Sequence, residues 1–213
     1  MKKSQVDIIS AMLILLIALS LTGTAYLWGY PLIQKRQASA TVDRVYSYFS
    51  QDNSNSLPSV IEYVANNKGE KTFSLDIDGT WHLNEAEDSI QFSFLSKASN
   101  IAVDTLNPIS LTPGVSCAPG PSPNIGRLGL DKASVVCARA SSYVGMINIS
   151  YKVWFRELYA DPPSSNGFKI NLVKESGLEY SRLKSIKIIF SGTEQEQVGG
   201  KTLIKTKIKI LLI

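Results

Sequence analysis

The sequence predicts an α+β protein: a long N-terminal transmembrane or stalk helix followed by an antiparallel, β-sandwich-like head. Three observations predict it. Ile8 to Trp28 is a run of 21 residues with no charged side chain, preceded by only seven others. At 1.5 Å per residue the run reaches about 31 Å, the thickness of a bilayer core. Most of the chain beyond about residue 72 alternates apolar and polar residues with period two, as strands with one buried face do. Two cysteines, Cys117 and Cys137, bracket a segment with three prolines and two glycines between Ala118 and Arg127.

The apolar run is too long for a secretory signal core of roughly 7–15 residues, and no A-x-A cleavage site follows it. Tyr26, Trp28 and Tyr30 stand at its far end, where amphipathic aromatics favour the membrane–water interface. Lys2 and Lys3 oppose Lys35 and Arg36, so flanking charge leaves the orientation tied. Pro31 predicts a kink or an end near Tyr30. A second helical run spans about Leu32 to Gln51. Its Ala38, Val42, Val45 and Phe49 follow the spacing of one helix face, which predicts packing on the head; a free linker would not keep that period.

The chain carries 22 Lys and Arg against 18 Asp and Glu, with a pI near 9.0. Setting aside Lys2, Lys3, Asp7, Lys35 and Arg36 leaves 18 basic and 17 acidic residues in the head. The basic pI therefore comes from the membrane flanks, and no clustered basic face argues for nucleic acid. The Pro/Gly-rich segment excludes a helix or a central strand there. A Cys117–Cys137 disulfide would staple that loop to the strand around Val135 to Cys137, worth about 3 kcal/mol in the chain-entropy model. The other reading is two unrelated buried thiols. A disulfide places the head outside the cytosol and breaks the orientation tie, with the N-terminus inside.

Strand patterns run through Phe73, Leu75 and Ile77, then Trp81 and Leu83, then Ile90, Phe92 and Phe94. They continue through Ile147 to Phe155, through Phe168, Ile170 and Leu172, and through Ile186, Ile188 and Phe190. The last strand, Leu203 to Ile213, points Ile204, Ile208 and Ile210 inward and Lys205, Lys207 and Lys209 outward. The lysine row either blunts an exposed sheet edge or contacts an acidic partner. Turn signals separate the runs at Asp78-Gly79, 84–89, 161–163, 176–177 and Gly199-Gly200. A short helix at about Pro58 to Asn66 precedes the first strand, with Ser56 or Leu57 as cap and Asn67 to Gly69 as stop.

The N-terminus resembles that of an archaeal type IV pilin or archaellin-like subunit with a class III signal peptide. The carrying residues are Lys2-Lys3-Ser4-Gln5, followed by the apolar helix, about 30 residues of the 213. In that family a prepilin peptidase removes a short basic leader, and the hydrophobic helices of many subunits pack into a filament core with β-rich heads outside. The family usually has Gly before the cut and often Gln after it. Here Ser4 stands in for Gly and Gln5 matches, so the resemblance implies a cut between Ser4 and Gln5, or alternatively between Lys3 and Ser4. Members often carry a serine and then a glutamate further in; Asp7 and Ile9 fill those positions here. The implied division is a leader at 1–4, a hydrophobic helix and stalk at 5–51, and an extracytoplasmic head at 52–213. The implied partners are copies of the chain or other pilin-like subunits, the membrane and the prepilin peptidase. A carboxylate at the edge of an apolar helix is costly to bury unpaired, so Asp7 would meet a new α-amino group in the assembly. Ser10, Ala11, Ala18, Ser20, Thr22 and Gly23 would allow close helix approach.

No catalytic motif emerges. Asp76-Ile77-Asp78-Gly79, with Glu85, Glu87 and Asp88 nearby, resembles a fragment of a calcium loop but lacks its further ligands, which favours a solvated turn. His82 has no Cys, Ser or Asp constellation. No nucleophile elbow and no phosphate-binding glycine loop occurs, and no cofactor is implied. Trp154 lies on the polar side of its strand, either covered by the second sheet or contacting a neighbouring subunit or a glycan. Asn148-Ile149-Ser150 is an N-x-S sequon on a face the pattern turns to solvent. These readings converge on a non-enzymatic subunit of a surface filament, acting in adhesion. The alternative is an uncleaved, single-pass membrane-anchored protein whose head binds an extracellular ligand. A membrane-anchored enzyme comes third.

Overall fold

The computed structural model describes residues 2–117, 125–160, 166–175 and 178–213, with the side chains of residues 2–7, 9 and 198 outside the description. Helix α1 (Lys2–Phe49) is continuous over 48 residues. It does not end at Tyr30. Pro31 lies inside it and forfeits one backbone hydrogen bond, and the cooperative ladder on either side carries the helix through. Among the described residues α1 is the one helix long and apolar enough to cross a membrane; its most apolar window has a mean hydropathy of 1.9 and is fully exposed.

The last turns of α1 change character. Val42, Val45 and Phe49 are fully buried and Ala38 is half-buried, as their four-then-three spacing predicts. Phe49 stacks on Tyr151 with ring centroids 5.0 Å apart, and lies 6.3 Å from both Trp81 and Phe92. Helix α2 (Leu57–Asn67) follows. Ser56 caps it by accepting from the Ser59 N–H, and Pro58 occupies its first turn, where its missing donor is not needed. Lys68, not Gly69, takes the left-handed closing position at φ 55°.

Twelve strands are present among the described residues: β1 (Glu70–Ser74), β2 (Thr80–Asn84), β3 (Ser89–Ser96), β4 (Ile109–Ser110), β5 (Gly126–Arg127), β6 (Ser134–Tyr143), β7 (Met146–Phe155), β8 (Leu158–Tyr159), β9 (Asn166–Lys174), β10 (Tyr180–Ser181), β11 (Ser185–Val198) and β12 (Lys201–Leu212). They form two six-stranded sheets. The first has the order β1-β11-β12-β9-β8-β5, the second β10-β2-β3-β7-β6-β4. One hydrophobic core draws on both sheets and both helices. The expectation of an antiparallel head is corrected: β9 pairs with β12 in parallel, as β5 does with β8, so the first sheet is mixed. Period two reports a half-buried face and carries no information about strand direction.

Two further corrections concern packing. The lysine strand β12 is no edge, since it lies between β11 and β9. Phe168 keeps the parity of Ile170 and Leu172 but is 38% exposed, because it lines an open cleft of about 380 Å³ with Glu62, Asn66 and Leu128.

Candidate functional site

Two surfaces and two staples are the features with functional content. The first surface is the free part of α1. Its described apolar residues from Ile8 to Ile33 are exposed, Trp28 by 82%. The hydroxyls of Thr22 and Thr24 donate to the carbonyls of Ala18 and Ser20, both at 2.8 Å, so the helix satisfies them itself. Tyr26 and Tyr30 stack at 5.4 Å and form an aromatic face at the end of the run. The backbone of Ser4, Gln5 and Asp7 is helical, and their side chains lie outside the described residues.

The joint between helix and head is held at three depths. Lys97 Nζ donates to Gln34 Oε1 at 2.8 Å, Asn100 Nδ2 to Asp43 Oδ1 at 3.1 Å, and Gln51 Nε2 to the Ser134 carbonyl. Glu62 of α2 accepts from the Ser134 N–H at 3.0 Å, so α2 and the turn after α1 both grip the start of β6. Beneath them the Tyr151 hydroxyl and the Trp81 indole N–H are buried with no hydrogen-bond partner among the described residues. Burial pushes the Tyr151 phenol well above its usual range, and Tyr46 and Asp43 of α1 add to the shift.

The second surface is the outward side of the first sheet. Lys205, Lys207 and Lys209 are half-buried and pair with Glu196, Glu194 and Glu175, at 2.5 Å for Lys207–Glu194 and 2.8 Å for Lys209–Glu175. The acidic partners of the row are thus internal. A bulge produces this arrangement. Phe190 pairs with Ile208, yet Gly192 pairs with Lys207, which leaves Ser191 as the extra residue. Strand parity beyond it is reversed, so Glu194 and Glu196 turn to the lysine side instead of the core. Gly192 makes this possible at φ +125°, where other residues are strained. The hydrogen bond and charge of Lys207 hold the Glu194 carboxyl below its usual range, and Glu196 raises the Lys205 ammonium.

The β2–β3 turn ties the two sheets together. Asp88 meets Lys169 at 2.7 Å, Glu85 accepts from the Lys174 N–H at 2.6 Å, and Glu87 pairs with Lys152. Asp76 and Asp78 contact Lys184 at 2.9 and 3.5 Å, and the Lys184 hydrogen bond holds Asp76 below the usual carboxylate range. The acidic residues of the calcium-loop fragment thus face ammonium groups. Among the described residues no group of three or more His, Cys, Asp or Glu is suited to hold a metal. His82 stacks on Tyr180 with centroids 4.3 Å apart.

Cys117 and Cys137 are joined as a disulfide with Cα atoms 5.9 Å apart. The loop from Ala118 to Asn124 lies outside the described residues. The bridge, with Val115 and Val135, packs against Trp154 on the outward side of the second sheet. The reading that the second sheet covers Trp154 is therefore corrected: Cys137 and Val135 pair opposite Lys152 and Trp154 on the neighbouring strand, and the stapled segment forms the lid. Asn148 is half-buried on that same outward side, between Leu95 and Ser141.

One exposed feature has a sequence signal that period-two reading passes over. Val144-Gly145 is a two-residue turn joining the paired Tyr143 and Met146, with φ +40° and +73°. A glycine closing two strand runs marks such a turn. Valine is a rare occupant of its first position, and here it is 89% exposed.

No known family matches this chain, and neither a curated protein nor a solved structure matches it.

Proposed function

We propose that the chain is a pilin-like structural subunit of a type IV pilus-like surface filament, displayed outside the cell and assembled through its apolar helix. The observation that carries this reading is the division of α1. The described apolar residues of its N-terminal part are exposed on every side, while Val42, Val45 and Phe49 build its end into the core. A helix apolar all round needs either lipid or other such helices around it. Fusion of its end to the head supports transmission of that packing to an outward-facing, sandwich-like β domain. The Cys117–Cys137 disulfide supports an extracytoplasmic head. The role is structural and non-enzymatic, serving adhesion, with no cofactor. Leader removal between Ser4 and Gln5 by a prepilin peptidase would precede assembly, with Asp7 at the subunit contact. Asn148 is the residue a glycan would modify.

Mass spectrometry of the N-terminal peptide from the native membrane or surface fraction tests the reading. A mature end at Gln5 or Ser4 is the expected outcome. An intact end at Met1 or Lys2 would overturn the filament reading and leave an uncleaved single-pass anchor carrying a ligand-binding head.

A further inference from the structure

The end of the head nearest the apolar helix presents three exposed apolar side chains. Leu106 is 95% exposed, Val144 89% and Tyr143 58%. Two connections bring them together. Val103 bridges to Ala140, and the Asp104 carboxylate accepts from the Ser142 N–H at 2.9 Å and from its hydroxyl at 2.6 Å. The loop carrying Leu106 is thereby pinned beside the β6–β7 tip.

Helix and strand share the Phe49–Tyr151 stack. From Phe49 back to Gln34 is fifteen residues, or about 22 Å of helix. From Tyr151 back to Val144 is seven residues, or about 23 Å of strand. Both directions lead to the same end, because Ser96 pairs with Ile147 and the next residue, Lys97, reaches Gln34. Val144 thus stands level with Gln34, one residue from Lys35 and two from Arg36. Exposed Leu32 and Ile33 carry the apolar surface of α1 up to that level.

We infer that Tyr143, Val144 and Leu106 rest in the lipid headgroup layer around the exit of α1, so that the head sits on the outer leaflet instead of swinging free on its stalk. This rests on the reading of Ile8 to Trp28 as a membrane span. The occupant is lipid because the patch lies at the level where the exposed apolar surface of that span ends. Charge agrees in sum: the exposed Lys35, Arg36 and Lys97 outnumber the carboxylates of Asp43 and Asp104, which Asn100 and Ser142 hydrogen-bond without neutralising. An apolar wedge flanked by basic residues fits an interface with anionic phospholipid. The rare valine in a left-handed turn position is then placed where its isopropyl group is solvated by lipid.

The test uses the full chain in phosphatidylcholine vesicles containing phosphatidylglycerol, with the native disulfide intact. An environment-sensitive dye is attached to single cysteines in Val144→Cys, Leu106→Cys, Leu130→Cys and Leu16→Cys, and quenching by headgroup- and chain-spin-labelled lipids is measured. Leu130 is 76% exposed and lies near the opposite end of β7, where Arg156 meets the Lys132 carbonyl. The expected result is several-fold stronger headgroup quenching at positions 144 and 106 than at 130, with chain quenching at 16. Quenching at 16 with 144 and 106 indistinguishable from 130 would overturn this inference and leave the span intact. No quenching at 16 would remove the span reading and this inference with it. Shielding of position 144 that persists in detergent and grows with protein concentration would assign the tip to a second copy and likewise overturn it.

Discussion

The two parts of α1 belong to one unbroken helix and meet opposite fates. Between Ile8 and Ile33 apolar residues occur on every side, and the described ones are all exposed. Between Ala38 and Phe49 apolar residues are fewer, yet Val42, Val45 and Phe49 have no accessible surface. Hydrophobicity alone therefore does not decide what enters the core. Spacing does, because a stripe at one helix face can meet a sheet while a fully apolar cylinder needs apolar surroundings throughout.

The sharpest way to break this contrast is truncation in each part. Phe49→Ala removes a ring stacked among Tyr151, Trp81 and Phe92 and should cost about 3–5 kcal/mol. Leu16→Ala should change stability by less than about 0.5 kcal/mol. Denaturant unfolding of the full chain in detergent micelles, read by Trp fluorescence, compares the two. Equal effects would show that the docked turns are not part of the core.

Loss of the disulfide comes next. Cys137→Ser should cost about 3 kcal/mol in the chain-entropy model and uncover Trp154, shifting its emission to the red. Amide exchange in α1 up to Ile33 should be unchanged, while exchange around Val42 to Phe49 should quicken with the head.

A smaller loss is expected at the bulge. Gly192→Ala places a side chain at φ +125° and should cost about 1–3 kcal/mol. Retention of the wild-type midpoint would mean that the parity reversal serving Glu194 and Glu196 does not depend on glycine.

The smallest effects are those of pH, and they too separate the two parts of the helix. The Tyr151 phenol is raised in the folded chain, so its neutral form stabilises the fold fully below the ordinary value of 10. Above that value the unfolded chain ionises first, and stability falls as pH rises toward the folded value. Glu194 is depressed by Lys207, so its contribution is present above the ordinary 4.5 and is lost as pH falls through the lower folded value. Unfolding midpoints measured across pH should therefore decline at both ends, Tyr151→Phe should flatten the alkaline limb, and helicity of the exposed part should not follow either limb.

Local features are written in short stretches of the chain. The docked stripe at Ala38, Val42, Val45 and Phe49, the Ser56 cap and the alternation of β7 are all legible, because each depends on a period or a cap contained within one segment. Pro31 left a kink and an end both open for the same reason: a local helix breaker cannot report that long helical ladders continue on both sides. The partners of each strand were not legible. Parallel pairing of β9 with β12, the central place of the lysine strand, the disulfide lid over Trp154 and the meeting of Asp104 with Ser142 join residues far apart in the chain. Even the orientation of Glu194 and Glu196 required the ladder, since a single extra residue at Ser191 matters only against a partner strand. Propensity and periodicity act over a few residues, so they fix which side of an element turns inward. Which neighbour covers each side is decided by the packing of the whole, because only the assembled sheets bring those surfaces into contact.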